Sequence, residues 1–164
     1  MAYDSRNDTL RHIDKVREYL MRMFAEISSR GIMHDASKLE DPEKSIFDGV
    51  TPLLRDLDYG TEEYEAVLND MGPALEHHYD HNRHHPEHFR DGVSGMTLVD
   101  LVEMFCDWCA ATHRHETGNI GASIEHNAKR FAFDDVLRRI FRNTAQQYKM
   151  GNRYEEMYDN VEPF

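Results

Sequence analysis

"TLVDLVEMFCDWCAATHRHE", residues 97–116, sets the expected fold class. Leu98, Leu101, Val102, Phe105, Trp108 and Cys109 recur at spacings of three and four, which gathers them on one broad helical face. Asp100, Glu103 and Asp107 fall on the opposite side. Small residues (Cys106, Ala110 and Ala111) flank Asp107, so a second helix can approach closely there. The trailing "THRHE" reads as a polar helix end.

The same period extends in both directions. Leu10, Ile13, Val16, Leu20, Phe24 and Ile27 form one apolar stripe, and Gly31 just past it is expected to end that helix. His12 falls at the edge of the stripe. Asp41 followed by Pro42 reads as an N-cap with proline at the first helical position. Thr61 is expected to cap a helix in "TEEYEAVLNDM", which Gly72-Pro73 breaks or kinks. A histidine-rich helix follows and should end at Pro86, and residues 90–97 with two glycines read as a loop. Asp134 is placed to cap a last helix carrying Leu137, Ile140, Phe141 and Tyr148. No stretch alternates with period two for long, and there is no internal repeat. The expectation is an all-α chain, residues 1–164 as a single domain of about six helices, with residues 150–164 as a polar tail.

Composition narrows the function classes. A formal net charge of -12 argues against general nucleic-acid binding, which needs a basic footprint. No apolar run approaches membrane-spanning length, and the start lacks the basic-then-apolar pattern of a signal peptide. The expected location is cytoplasmic. Cys106 and Cys109 form a Cys-x-x-Cys spacing, but no βαβ pattern surrounds them, and both sit in an apolar stretch where free cysteine acts as a small hydrophobe. Oligomeric state is open, a homo-oligomer included.

"HHYDHNRHHPEH", residues 77–88, concentrates six of the eleven histidines. An exposed polar loop and a pH-sensitive surface are the plain readings. A metal site is the sharper one, because neutral imidazole is the commonest protein metal ligand. On a continuous helix, His77, His81 and His84 would form one row and His78, Asn82 and His85 another. The two rows lie one residue apart, so both cannot face one site equally. Upstream, His34-Asp35 offers a ligand pair, since a carboxylate can bridge two cations while the imidazole binds one.

The order His12, His34-Asp35, the 77–88 cluster, then Asp100 or Asp107 resembles the HD-domain metallohydrolase superfamily. Within it the chain looks most like the HD-GYP phosphodiesterases. "HDASK" matches their HDxxK, which brings in Lys38, and His84-His85, Asp91-Gly92 and Asp107 stand in the family order. Gly95-Met96-Thr97 replaces their Gly-Tyr-Pro element, so cyclic-dinucleotide cleavage is not implied. "HDASK" with "NRHHPEHF" is also similar to an uncharacterised HD-like family of phage and bacterial genomes. The resemblance spans roughly residues 10 to 112. It implies an all-α HD-like fold and one or two divalent transition-metal ions (Mn, Fe, Ni, Co or Zn). The implied ligands are His12, His34, Asp35, His84, His85 and Asp107, with His78 chosen for the remaining position. His81 and His88 are assigned to solvent or to a supporting role.

The expected activity is metal-dependent phosphoryl hydrolysis of a small phosphorylated compound, most plausibly a nucleotide. Asp35 would orient water, and Lys38 would hold a phosphate as a point charge or simply pair with Asp35. Arg83 is a further phosphate candidate beside Arg90, Arg114, Lys129 and Arg130, each of which also reads as a plain surface cation. A di-iron oxygenase and a non-catalytic metal- or nucleotide-binding protein are the alternatives.

Overall fold

The computed structural model describes residues 3–55, 66–67, 71–114 and 116–160. Among them the chain is all-α: six α-helices joined by short 3₁₀ turns, with no strand. The helix expected from Thr61 starts outside the described residues. The backbone groups into two compact units, Met1–His34 and Asp35–Phe164.

The first unit is essentially one helix, α1 (Arg6–Met33), roughly 42 Å long at about 1.5 Å per residue. His12 lies on it. The helix runs past Gly31, which was expected to stop it. Gly31 is not among the positive-φ residues, and the left-handed position falls at Asp35 (φ 56°) instead. Pairs such as Lys15–Glu18 (2.5 Å) and Glu26–Arg30 (3.0 Å) lace its polar side, each worth about 0.2–0.5 kcal/mol.

The second unit opens with a 3₁₀ turn at Ala36–Leu39 and then α2 (Glu43–Arg55). The helix starts one residue later than expected, so Pro42 precedes it, while Asp41 Oδ1 still accepts the Ser45 N–H in its first turn at 3.2 Å. Next comes α3 (Gly72–His81). Gly72-Pro73 begins this helix, where proline in the first turn sacrifices no helical hydrogen bond; most of the preceding helix it was expected to break lies outside the described residues. The helix also stops earlier than expected, with Asn82 already extended (φ −119°, ψ 105°). Pro86 opens a 3₁₀ turn, Pro86–His88, where it was expected to end the helix. The loop over 90–97 contains another 3₁₀ turn at Gly92–Gly95, and Gly92 supplies its left-handed residue (φ 56°).

Helix α4 (Leu98–Ala111) starts from a full capping box in which Thr97 and Asp100 satisfy each other's backbone N–H groups. Its buried residues are Asp100, Met104, Phe105, Trp108 and Cys109. Leu98 and Val102 stay 67% and 40% exposed, against expectation. The inward face is turned from the one drawn on hydrophobicity alone, because the acidic side of α4 is also engaged. Helix α5 (Ile120–Phe131) follows, with no counterpart among the helices expected from the sequence. It is capped by Asn119, and Ile120, Ile124 and Ala128 are buried at intervals of four. Asp134 caps α6 (Asp135–Tyr148) as expected, accepting from the Leu137 N–H at 3.0 Å. Of its expected core residues Phe141 is buried, while Ile140 and Tyr148 are exposed.

The core lies among α4, α5 and α6. Phe105 stacks on Phe141 (5.0 Å between ring centres), and Trp108 meets Phe141 edge-on at 5.6 Å. The segment from residue 150, expected as a polar tail, folds back onto this core. Met157 is buried against it, and Asn152 donates to the Thr112 hydroxyl and carbonyl, both at 2.9 Å. Two methionines, Met150 and Met157, carry that docking, which the polar composition of the segment hid.

Both cysteines are reduced. Burial, with a smaller contribution from Cys106, pushes the Cys109 thiol up to about 12, and burial and Glu103 raise that of Cys106. Neither favours the thiolate that redox exchange requires.

Met157→Ala should destabilise the protein by about 2–5 kcal/mol, the usual cost of truncating a buried methionine. Denaturant unfolding measures this, and a loose tail would leave the midpoint unchanged. Native protein treated with iodoacetamide at pH 8 should keep Cys109 unmodified, and peptide mass analysis after denaturation should show the difference.

Candidate metal centre

The centre begins with a backbone constraint. Asp35 follows α1 in a left-handed conformation (φ 56°, ψ 16°). For an L-residue that costs roughly 1–2 kcal/mol, and aspartate is among the few non-glycine residues that tolerate it. This bend turns the chain sharply into the Ala36–Leu39 turn and sets the Asp35 carboxylate towards the end of α3.

There Oδ1 of Asp35 stands 3.4 Å from Nε2 of His78 and 3.4 Å from Nε2 of His84. Nε2 of His78 and Nε2 of His85 are 3.0 Å apart. Asp35, His78, His84 and His85 each offer one ligand atom, all within 4.8 Å of one another. Donors at about 2.0–2.1 Å from a tetrahedral cation sit about 3.3 Å from each other. The three separations of 3.0 to 3.4 Å fit that requirement. Three imidazoles and a carboxylate suit a first-row divalent ion better than Ca or Mg, which prefer oxygen.

Both short-range imidazoles are oriented from behind by carboxylates. The Glu43 side chain is wholly buried, and its Oε2 lies 2.9 Å from Nδ1 of His78. Burial alone would raise the Glu43 pKa, but hydrogen bonds from His77, Ser37 and His78 outweigh it and leave the pKa lowered. An ionised carboxylate only accepts, so the proton is on Nδ1 of His78 and the Nε2 lone pair faces the centre. Oε1 of Glu103 approaches Nδ1 of His84 at 3.3 Å and favours the same tautomer. Such carboxylate–histidine pairs fix ring orientation and raise ligand basicity in metal sites. Asn82 adds a brace, donating to Ser37 Oγ at 2.7 Å and to the His78 carbonyl at 2.8 Å. The pKa of His78 is lowered by burial and then by Lys38, and that of His85 falls to about 3 through burial and the charges of His84 and His78. The neutral form is the one that ligates.

The expectation that the row of His77, His81 and His84 and the row of His78, Asn82 and His85 cannot face one site equally does not hold here. It assumed a helix continuing through residue 85. The helix stops at His81, and the extended backbone at Asn82 lets His84 and His85 both return to His78. His81 donates from Nδ1 to the His77 carbonyl (2.8 Å), and His88 to the Tyr79 carbonyl (2.9 Å), so both lie outside the four-residue group.

Of the two aspartates on α4, Asp107 is the one beside the centre. It offers an oxygen within 4.8 Å of a His84 nitrogen, and its charge acts on His85. Asp100 is committed elsewhere: Arg83 grips it with Nε and Nη2, both at 3.1 Å. Arg83, expected as a phosphate candidate, is thus bound to a buried carboxylate while its side chain stays 42% exposed. The guanidinium holds a buried carboxylate and lies 4.9 Å from the centre of the Phe89 ring, so it braces the turn before His84. Lys38 donates to Oδ2 of Asp35 at 2.6 Å, the oxygen turned away from the histidines. His12 and His34 belong to the first unit, and His34 is the chain neighbour of Asp35. Sequence pattern places Glu103 only on the acidic side of its helix and assigns Glu43 to no site. Glu103 lies four residues before Asp107 on the same helical side, a signal that was available, whereas nothing in "DPEK" marks Glu43.

A model of a family of unknown function, DUF5662, matches residues 1–147. The chain belongs to this DUF5662 family. The match takes in Asp35, the histidine run and Asp107. No curated protein and no solved structure matches the chain.

Glu103→Gln should weaken Zn2+ binding roughly 10–100-fold, the usual effect of removing such a histidine partner. Competition with a chromophoric chelator reads this directly, and an unchanged affinity would separate Glu103 from the centre.

Proposed function

We propose that this DUF5662 protein is a metal-dependent phosphohydrolase acting on a small phosphorylated substrate, a nucleotide by preference. The observation that carries the reading is the convergence of Asp35, His78, His84 and His85, with the Lys38 ammonium 2.6 Å from the outer oxygen of Asp35. The donor set supports Mn, Fe, Co, Ni or Zn. Asp107, beside His84, would offer its carboxylate to a second ion. His34 and His12 are proposed as further ligands, on the HD-like order of the sequence and on the adjacency of His34 to Asp35.

A divalent ion bound there would activate water at neutral pH and offset charge on a phosphoryl oxygen. The residues do the rest. Asp35 holds the donors in register and accepts a hydrogen bond from the attacking water. Glu43 and Glu103 keep His78 and His84 in the ligating tautomer. Lys38 exchanges part of its bond to Asp35 for a phosphate oxygen and so positions the substrate beside the centre. No helix among the described residues is long and apolar enough to cross a membrane, which agrees with a cytoplasmic, small-molecule role.

Phosphate release from a nucleotide panel, with each metal supplied in turn, tests the activity. His84→Ala should abolish both metal retention and turnover. Lys38→Met should leave metal content unchanged while lowering kcat/KM roughly 10- to 150-fold, the loss of a charge-assisted hydrogen bond of about 1.5–3 kcal/mol. Turnover of no phosphorylated substrate, together with oxygen uptake by the iron-loaded protein, would replace this reading with the oxygenase one. Lys38→Met that loses metal as well would make Lys38 a support for Asp35 and remove the phosphate contact.

A further inference from the structure

We propose that His77 and His81 form a second cation site, on the outer side of α3, for one divalent ion of the imidazole-preferring kind such as Zn2+. The two residues are one helical turn apart, so their side chains are neighbours on the surface. Their rings lie nearly parallel, 3.9 Å between centres and 15° between planes.

Each ring has one nitrogen already committed. Nδ1 of His77 lies 2.8 Å from Oε1 of the buried Glu43, and Nδ1 of His81 donates to the His77 carbonyl at 2.8 Å. Both acceptors demand the proton on Nδ1, which leaves the Nε2 lone pair available on each ring. No hydrogen-bond partner for either Nε2 is present among the described residues. The His77 side chain is 32% exposed and His81 is exposed, so an ion arriving from solvent reaches them. Closing on one ion needs the lone pairs to converge. Turning the exposed His81 ring about χ2, a broad torsion, releases its Nδ1 bond to the His77 carbonyl and brings its lone pair towards that of His77. Glu43 serves both places, with Oε1 on His77 and Oε2 on the buried His78. One carboxylate therefore orients a ligand of the central cluster and a ligand of the surface pair. The surface pair stands on its own geometry and does not depend on phosphohydrolase chemistry.

Equilibrium dialysis of the full chain against Zn2+ alone, with parent, His81→Asn and His84→Asn proteins, tests the proposal. His81→Asn should lose one bound ion, its affinity falling about a hundredfold because a second tethered ligand acts at high effective concentration. His84→Asn should retain that ion. Long-range 15N–1H spectra of the imidazoles give an independent measurement on the unaltered protein. Added Zn2+ should shift Nε2 of His77 and His81 together, with both Nδ1 still protonated. A His81→Asn protein that binds as many ions as tightly as the parent would overturn the site, as would a Zn2+-induced shift of one Nε2 without the other. If His84→Asn matches the parent, the central site has failed while the His81 comparison still stands.

Discussion

A buried carboxylate between two imidazoles holds the second unit's candidate centre together. Glu43 enters at the first turn of α2 with no solvent access, and its two oxygens take the Nδ1 groups of His77 and His78. A charge in such a place must be hydrogen-bonded, and each bond to a charged group is worth about 1.5–3 kcal/mol. The bond therefore clamps the start of α2 to the last turn of α3. It also sets the tautomer of His78, so one interaction serves packing and ligand orientation together.

Around this clamp, two interruptions of helix bring the donors together. The left-handed residue at Asp35 turns its carboxylate inward just after α1 ends. The extended residue at Asn82 reverses the chain so that His84 and His85 face back on His78. Neither interruption stands alone. Asn82 is held by Ser37 and the His78 carbonyl, and the turn beyond it is held by the Arg83–Asp100 fork. The backbone strain at Asp35 persists because the surrounding bonds over-determine it, as is common where side chains are held for function.

Helix α4 joins this region to the aromatic core. Phe105 and Trp108 anchor one side of it on Phe141, while Asp100, Glu103 and Asp107 serve the other side. Substitutions in the core would therefore move Glu103 and Asp107 relative to the histidines, even though they touch none of them. Docking of Met157 closes the far side of that core, so the C-terminal segment contributes to the rigidity of α4.

What the sequence determined by itself was whatever depends on near neighbours. The period of three and four specifies helix, and Asp134 caps the residues immediately after it. The density of histidine in 77–88 likewise marked where donors cluster, and "HD" at 34–35 marked a carboxylate to go with them. Tertiary structure decided which donors meet. The end of α3 at His81 has no local stop signal as strong as Pro86, and that early end is what lets adjacent His84 and His85 share a site with His78. Glu43 gains its role only from His77 and His78, which stand 34 and 35 positions away. Arg83 changes from a free cation to a brace only once Asp100 is buried beside it. Hydrogen-bond geometry and burial are properties of distance in space, and a linear pattern carries them only where the chain is locally regular.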